Sequence, residues 1–396
     1  MSSKPDRELT VVLCLFLILF LGVADNQILS PLLPAIRKQV GKSSSEMGLL
    51  FTGYSLCAGL SVLLWGPLSD LYGRKAGLLA GLSVFSLGST VCFLSHSFSL
   101  LLAGRVITGM GASMLSLNSI SYAADYFPYS RRGWAMGSIL SSYFAALILG
   151  VPLGSWLGDH LGWNAVFGVT AGLGLILIAT IRPILPRLLC PRPGGMAELL
   201  IVQRARAYLA FLKARKTVGA LFSSFLASAG TMGFLAFLGV WLHDAFGISG
   251  KRVGLVFLVS GAAALLASPF AGHLSDLIGK RIQFVISNLA LAGLLLILPR
   301  LQWGVPLFFV FCAISLAAAF RQGPMEALLT ECVAAGSRGT FIALKNSFSQ
   351  LGIALAAFAS GFLFERVGYS GVCLLGAAAN LLASAGILIL VRERNL

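Results

Sequence analysis

Charge is scarce in this chain. Asp, Glu, Lys and Arg make up 11% of its 396 residues, against about 25% in soluble domains, and that shortage excludes a water-soluble globular enzyme. The seven cysteines are scattered with no CxxC pair, and the four histidines show no ligand spacing, which argues against a disulfide framework or a metal site. HExxH, a GxSxG elbow and an Asp-rich diphosphate-binding pattern are all missing. Gly250-Lys251-Arg252 lacks the Ser or Thr that follows the Lys of a phosphate loop. No cofactor is implied, no catalytic constellation marks an enzyme, and an ion gradient is left as the energy source.

What the chain has instead is apolar length. Hydrophobic residues make up 57%, and runs of about twenty recur, the length that crosses a bilayer as helix. Twelve spans are expected, at 9–35, 46–68, 76–95, 98–121, 133–157, 163–181, 217–241, 251–273, 282–299, 305–328, 340–364 and 369–391. The first has a signal-peptide look, with Lys4 and Arg7 ahead of an apolar run. It lacks a small-residue cleavage site, however, and its apolar character resumes after Asp25-Asn26-Gln27, so an uncleaved helix is the better reading. With both termini cytoplasmic, 19 of the 29 Lys and Arg residues fall inside, 7 outside and 3 within spans, as the positive-inside rule requires. That asymmetry accounts for the net charge of +15 without nucleic acid. The expected location is the inner membrane of a bacterium, as a multi-pass monomer.

The segment GPLSDLYGRK at 66–75 returns as GHLSDLIGKR at 272–281, 206 residues further on. The same offset pairs Asp125 with Glu331, Arg132-Gly133 with Arg338-Gly339, and Asp159, Gly162 and Trp163 with Glu365, Gly368 and Tyr369. Four markers in one register mean a duplicated unit, and parallel repeats of this size belong to two-half transporters with a site between the halves. The expected organisation is an all-α membrane protein, with a six-helix bundle over 1–181, a cytoplasmic linker over 182–216 and a second six-helix bundle over 217–396. Leu199, Val202, Ala205, Leu209 and Leu212 share one face of a helix in that linker. Its basic residues suit it to lie on anionic headgroups over 196–216; a connector that merely obeys the positive-inside rule is the equal alternative.

GPLSDLYGRK between spans two and three resembles the signature loop of the major facilitator superfamily, and LLAGRVITGMGA at 101–112 resembles that superfamily's second motif. The likeness covers the whole chain and is strongest to the drug:proton antiporter and sugar-efflux branches. Gly66 and Gly73 suit close approach and a tight turn. The resemblance implies that Asp70 docks on the helix starting near Gly339 and that Arg74 pairs with Asp125, latching the cytoplasmic side in the outward-open state, with Asp276 and Glu331 as C-terminal counterparts. Leu71 departs from the family loop, which has Arg or Lys there. Gly150-Val151-Pro152-Leu153-Gly154-Ser155 is a displaced variant of the antiporter motif GPxxGG.

An ionisable residue inside a span is a functional candidate by default. Asp25 lies ~24 Å from the inner edge and Arg105 ~10 Å below the outer one at about 1.5 Å per residue, so their depths agree. They are expected to couple, with Asp25 as the proton site and Arg105 as its control; a fixed ion pair between helices one and four is the alternative. In the second half Glu326 and Lys345 have similar depth, which leaves Arg321 for an anionic substrate group or, equally, for a structural inner-gate cluster with them. Asn26, Gln27, Tyr54, Asn118, Tyr143, Gln322, Asn346 and Gln350 complete the substrate-binding candidates. The repeat places Thr231, Phe311, Leu115 and Ile139 opposite Asp25, Arg105, Arg321 and Lys345, so these charges are asymmetric additions. The expected function is proton-coupled efflux of a small organic molecule by alternating access. Uptake or facilitated transport of an organic anion is the alternative, and a non-transporting receptor or scaffold is the reading from another class.

Overall fold

The structure, a computed structural model, describes residues 5–188, 197–334 and 337–390. Among the described residues it contains helices and no strands, and twelve helical segments are long and apolar enough to cross a membrane. Span one is two helices, α1 (Pro5–Gln27) and α2 (Leu29–Val40). Pro31 lacks an N–H and crowds the carbonyl one turn earlier, so the axis breaks at Ile28 and the next bond, Leu32 N to Ile28 O, stretches to 3.4 Å. Next come α3 (Ser44–Tyr72), α4 (Arg74–Phe93) and α5 (Phe98–Tyr126). A capping box opens α3: Ser43 Oγ accepts from Glu46 N, and the Glu46 carboxylate accepts from Ser43 N at 3.0 Å.

Span five is assembled from α6 (Tyr129–Leu140), α7 (Ser142–Ala145), a π-helical turn (Ala146–Gly150) and α8 (Val151–Leu161). Pro152 cannot donate to the turn before it, and the widened turn sits there. Then follow α9 (Trp163–Ile184), the connecting helix α10 (Ala197–Lys213), α11 (Arg215–Phe246), α12 (Gly250–Ile278), α13 (Lys280–Ile297), α14 (Val305–Thr330), α15 (Arg338–Val367) and α16 (Tyr369–Leu390).

The duplication is visible in the backbone. Gly41, Gly73 and Gly162 have φ of 65°, 93° and 87°; their repeat mates Gly247, Gly279 and Gly368 have 67°, 89° and 76°. Only glycine enters this region without strain, so the turn chemistry was copied with the unit. The ties at the ends of the spans were copied too. Arg74 Nε bonds Asp125 at 3.0 Å, and Lys280 Nζ bonds Glu331 at 2.6 Å. Lys75 Nζ donates to Arg182 O at 2.7 Å, and Arg281 donates to Leu388 O.

Twelve spans bring Pro5 and Leu390 to one side, here called the terminal side. The halves meet along α3 with α15, α2 with α11, and span five with α12. Small residues let these seams close, as they do between membrane helices generally. A Cβ on Gly48 would stand 2.8 Å from Ala357 O, one on Gly254 3.0 Å from Pro152 Cα, and one on Gly261 2.8 Å from Leu147 Cβ. Toward the terminal side the seams part: Gly272 has nothing within 4 Å of a Cβ, and Gly66 meets only Arg204 of α10. The cores divide in the same way. One apolar cluster joins both halves at the far side, through Leu29, Leu33 and Met47 with Phe237, Trp241 and Val253. Toward the terminal side there are two, one per half. Arg37 closes the far side with a two-pronged bond to Asp244 (2.8 and 2.9 Å), and Ser30 Oγ donates to Leu235 O at 2.6 Å. The conformation is therefore closed at the far side and open at the terminal side.

Gly239 decides how tightly the far side shuts, since a Cβ there would stand 2.2 Å from the Ser30 carbonyl. Gly239→Val is expected to prise α2 from α11, because overpacking costs about 1–3 kcal/mol. Spin labels at positions 38 and 245, both exposed, should report a longer distance in the variant; an unchanged distance contradicts this.

Candidate functional site

Asp25 and Arg105 meet in the interior of the first half. Arg105 Nη1 donates to Asp25 Oδ2 at 2.6 Å, and both side chains are 0% exposed. The neighbours fix the geometry. The Tyr54 ring lies against the guanidinium at 4.5 Å and Phe167 at 5.8 Å, each offering the electron-rich face that favours a cation. Gly104 lets α5 press on α4, since a Cβ there would stand 2.9 Å from Cys92 N. The π turn of span five packs beside Asp25, where a Cβ on Gly150 would stand 2.7 Å from Ala24 Cβ.

The pair is under-bonded. Asp25 Oδ1 and Arg105 Nε and Nη2 have no hydrogen-bond partner among the described residues. A buried pair held by one bond is a weak stabiliser, but a lone buried charge is far worse. Protonating Asp25 in place would strand the Arg105 guanidinium in a medium that cannot solvate it. Hydrating or re-pairing Arg105 would remove that penalty.

The other candidates are dispersed. Asn26 and Gln27 are half-buried next to Asp25 in the chain. Tyr54 is 3% exposed and committed to Arg105. Asn118, expected among the substrate-binding residues, is instead fully buried: its Oδ1 accepts from Ser69 and its Nδ2 donates to Met114 O at 2.7 Å, so it joins α3 to α5. Tyr143 is exposed, beside Ser116 and within electrostatic reach of Glu326 across the halves. Glu326 and Lys345 pair at 2.5 Å, as their depths imply. Gln322 is exposed and Asn346 half-buried. Gln350 faces α3, with its Cβ 3.0 Å from a Cβ built on Gly59. Arg321 does not join the Glu326–Lys345 pair; it turns into the second half and bonds Thr231, Asn288 and Asn380.

At the terminal side the expected latch of Asp70 on α15 belongs to the outward-open state; with the seams parted here, Gly339 has nothing within 4 Å of a Cβ, and Asp70 is held elsewhere. Its carboxylate engages Arg74 on one oxygen and Arg204 of the connecting helix on the other. Sequence reasoning missed Arg204, whose only signal was an amphipathic linker of suitable charge. Gly66 likewise faces Arg204 rather than a neighbouring helix. The same helix reaches the second half, where Phe211 meets Phe341 edge-on at 5.4 Å. Ala205, Leu209 and Leu212 are exposed on its outer face, whereas the side chains of Leu199 and Val202 lie outside the described residues. Asp276 is exposed at the end of α12.

The model of the Major Facilitator Superfamily matches residues 15–214 and 220–395. The chain belongs to the Major Facilitator Superfamily. Among its relatives, the uncharacterized MFS-type transporter YwfA of Bacillus subtilis (strain 168) is 28% identical over 389 residues, covering 96% of this chain and 92% of that protein. The multidrug transporter protein MdtP of the same organism is 21% identical, covering 96% and 76%. The crystal structure of a D-xylose-proton symporter superposes with a TM-score of 0.81 at 17% identity, covering 97% of this chain and 98% of that one. That likeness is one of fold.

Two outcomes follow. Asp25→Ala strands Arg105 and is expected to cost about 3–5 kcal/mol, with most of the loss recovered in Asp25→Ala/Arg105→Met; unfolding of the detergent-purified protein measures both. Arg204→Ala, at a half-exposed pair, should change stability by less than about 1 kcal/mol. It should nevertheless widen the spacing of α10 from α3, read by spin labels at positions 72 and 206.

Proposed function

We propose that this chain is a proton-coupled transporter that exports a small organic molecule by alternating access, as a monomer in the bacterial inner membrane with both termini cytoplasmic. The observation that carries the reading is the Asp25–Arg105 pair, an anion that cannot take a proton without structural change. The orientation rests on the excess of Lys and Arg on the terminal side, which in bacterial membranes faces the cytoplasm. In that orientation the conformation is inward-open with Asp25 ionised. A substrate enters between the halves from the cytoplasm, and the far-side seam of α2 and α11 then opens. Asp25 is hydrated, takes an external proton and parts from Arg105. Return to the inward-open state delivers the proton to the cytoplasm as the pair re-forms.

The linker reading also gains support. The outer face of α10 presents Leu209 and Leu212 with Arg206 and Lys213, all exposed, a composition suited to an anionic leaflet. A small organic substrate is supported by the name of the relative MdtP, a multidrug transporter; efflux as the direction rests on the resemblance of the loop and span-four motifs to the drug:proton antiporter branch. The experiment uses proteoliposomes carrying an internal pH dye and a panel of amphipathic amines, azoles and carboxylates. At least one compound should move protons in the opposite direction in the wild type, and Asp25→Asn should abolish that movement while keeping downhill exchange. Proton movement by Asp25→Asn at the wild-type rate contradicts the reading.

A further inference from the structure

Arg321 is a second buried guanidinium, 4% exposed, and its surroundings differ in kind from those of Arg105. Nη1 donates to Asn288 Oδ1 at 3.2 Å and Asn380 Oδ1 at 2.8 Å, and Nη2 donates to Thr231 Oγ1 at 2.7 Å. All three acceptors are neutral, and Arg321 takes part in none of the ion pairs among the described residues. Nε has no partner, so of the five donors of the guanidinium that one and one on Nη2 remain unused. The acceptors are themselves held in place: Asn288 Nδ2 donates to Phe284 O at 3.0 Å, Asn380 Nδ2 to Gly376 O at 2.8 Å, and Thr231 Oγ1 to Ala227 O at 3.0 Å.

The repeat register shows what this site has gained and lost. Stepping back 206 residues from Asn288, Arg321 and Asn380 gives Leu82, Leu115 and Gly174; the two leucines belong to the apolar core of the first half. Two of the three polar residues thus stand where the sister bundle has leucine, and the third where it has glycine. Thr231 occupies the position of Asp25, and Arg321 reaches it with a guanidinium nitrogen at 2.7 Å, much as Arg105 reaches Asp25 at 2.6 Å. The second half therefore holds a buried cation in which a hydroxyl stands in the place of the anion. A charge of this kind inside a membrane is costly unless neutralised.

We propose that the Arg321 guanidinium, framed by Thr231, Asn288 and Asn380, binds a singly charged anion that supplies the missing negative charge. That anion is an inorganic ion such as chloride or the carboxylate of a transported molecule. Thr231 is only partly buried, so approach is from its side. The carboxylate source rests on the reading of the chain as an exporter of small organic molecules; anion binding itself does not.

The test is thermal unfolding of the full-length protein in detergent, titrated with sodium chloride or sodium benzoate at constant ionic strength. Wild type should show a saturable rise in Tm with at least one of them. Chloride alone identifies an inorganic counter-ion, and benzoate acting at tenfold lower concentration identifies the carboxylate. Thr231→Asp, which builds the anion into the site, should lose the response and unfold in anion-poor buffer at or above the Tm of anion-saturated wild type. Arg321→Gln should lose the response as well. No rise in wild type, or a rise that survives in Arg321→Gln, overturns the proposal. The absence of a rise in wild type overturns it even if neither variant folds. Because no transport is read, its failure is separate from a failure of proton coupling at Asp25.

Discussion

A carboxylate and a guanidinium sealed together in the first bundle set the terms for the rest of this molecule. The Asp25–Arg105 pair has no exposed surface and one short bond, in a setting where either charge alone is intolerable. The pair is enclosed by Tyr54 and Phe167 against the guanidinium and by the π turn of span five against Ala24. Span five also forms the seam with α12. Span one, which carries Asp25, continues through the break at Ile28 into α2, whose Ser30 and Arg37 hold the far side shut. Asp25, the proposed proton site, and the residues that shut the far side are thus parts of one bent helix.

The duplicated unit divides the labour. Features shared by both halves are mechanical: the positive-φ glycines that end the spans, the Arg74–Asp125 and Lys280–Glu331 ties, and the clamps of Lys75 and Arg281 on the ends of α9 and α16. Features present in one half are electrostatic: Asp25 with Arg105, Glu326 with Lys345, and the polar nest of Arg321. In the proposed cycle the two similar halves rock at their seam, and the unmatched charges would give the rocking a direction. The connecting helix spans the two at the terminal side through Asp70 and Phe341, the side on which the seams are parted.

Much of this was legible in the sequence, for identifiable reasons. A bilayer demands about twenty apolar residues per helix, so the twelve spans and their order could be read directly, and the pairing of Asp25 with Arg105 followed from counting 1.5 Å per residue along two helices. Depth, however, is one coordinate and azimuth is another. Asn118 is a polar residue within span four yet turns toward Ser69, and Arg321 turns into its own bundle; neither direction is encoded in hydropathy. Nor is the docking of α10 encoded. Asp70 could be seen to need a positive partner, but that the partner is Arg204 depends on where a tethered helix settles.

The central claim is that Asp25 carries a proton only when the far side is open. The infrared band of a protonated carboxyl group measures this directly, recorded at one pH in wild type, in Gly239→Val and in Gly239→Val/Asp25→Asn. The account requires the band to be absent from far-side-closed wild type, present in Gly239→Val, and lost again with Asp25→Asn. A band of equal size in wild type and Gly239→Val would show that protonation of Asp25 and opening of the far side are independent, and would contradict it.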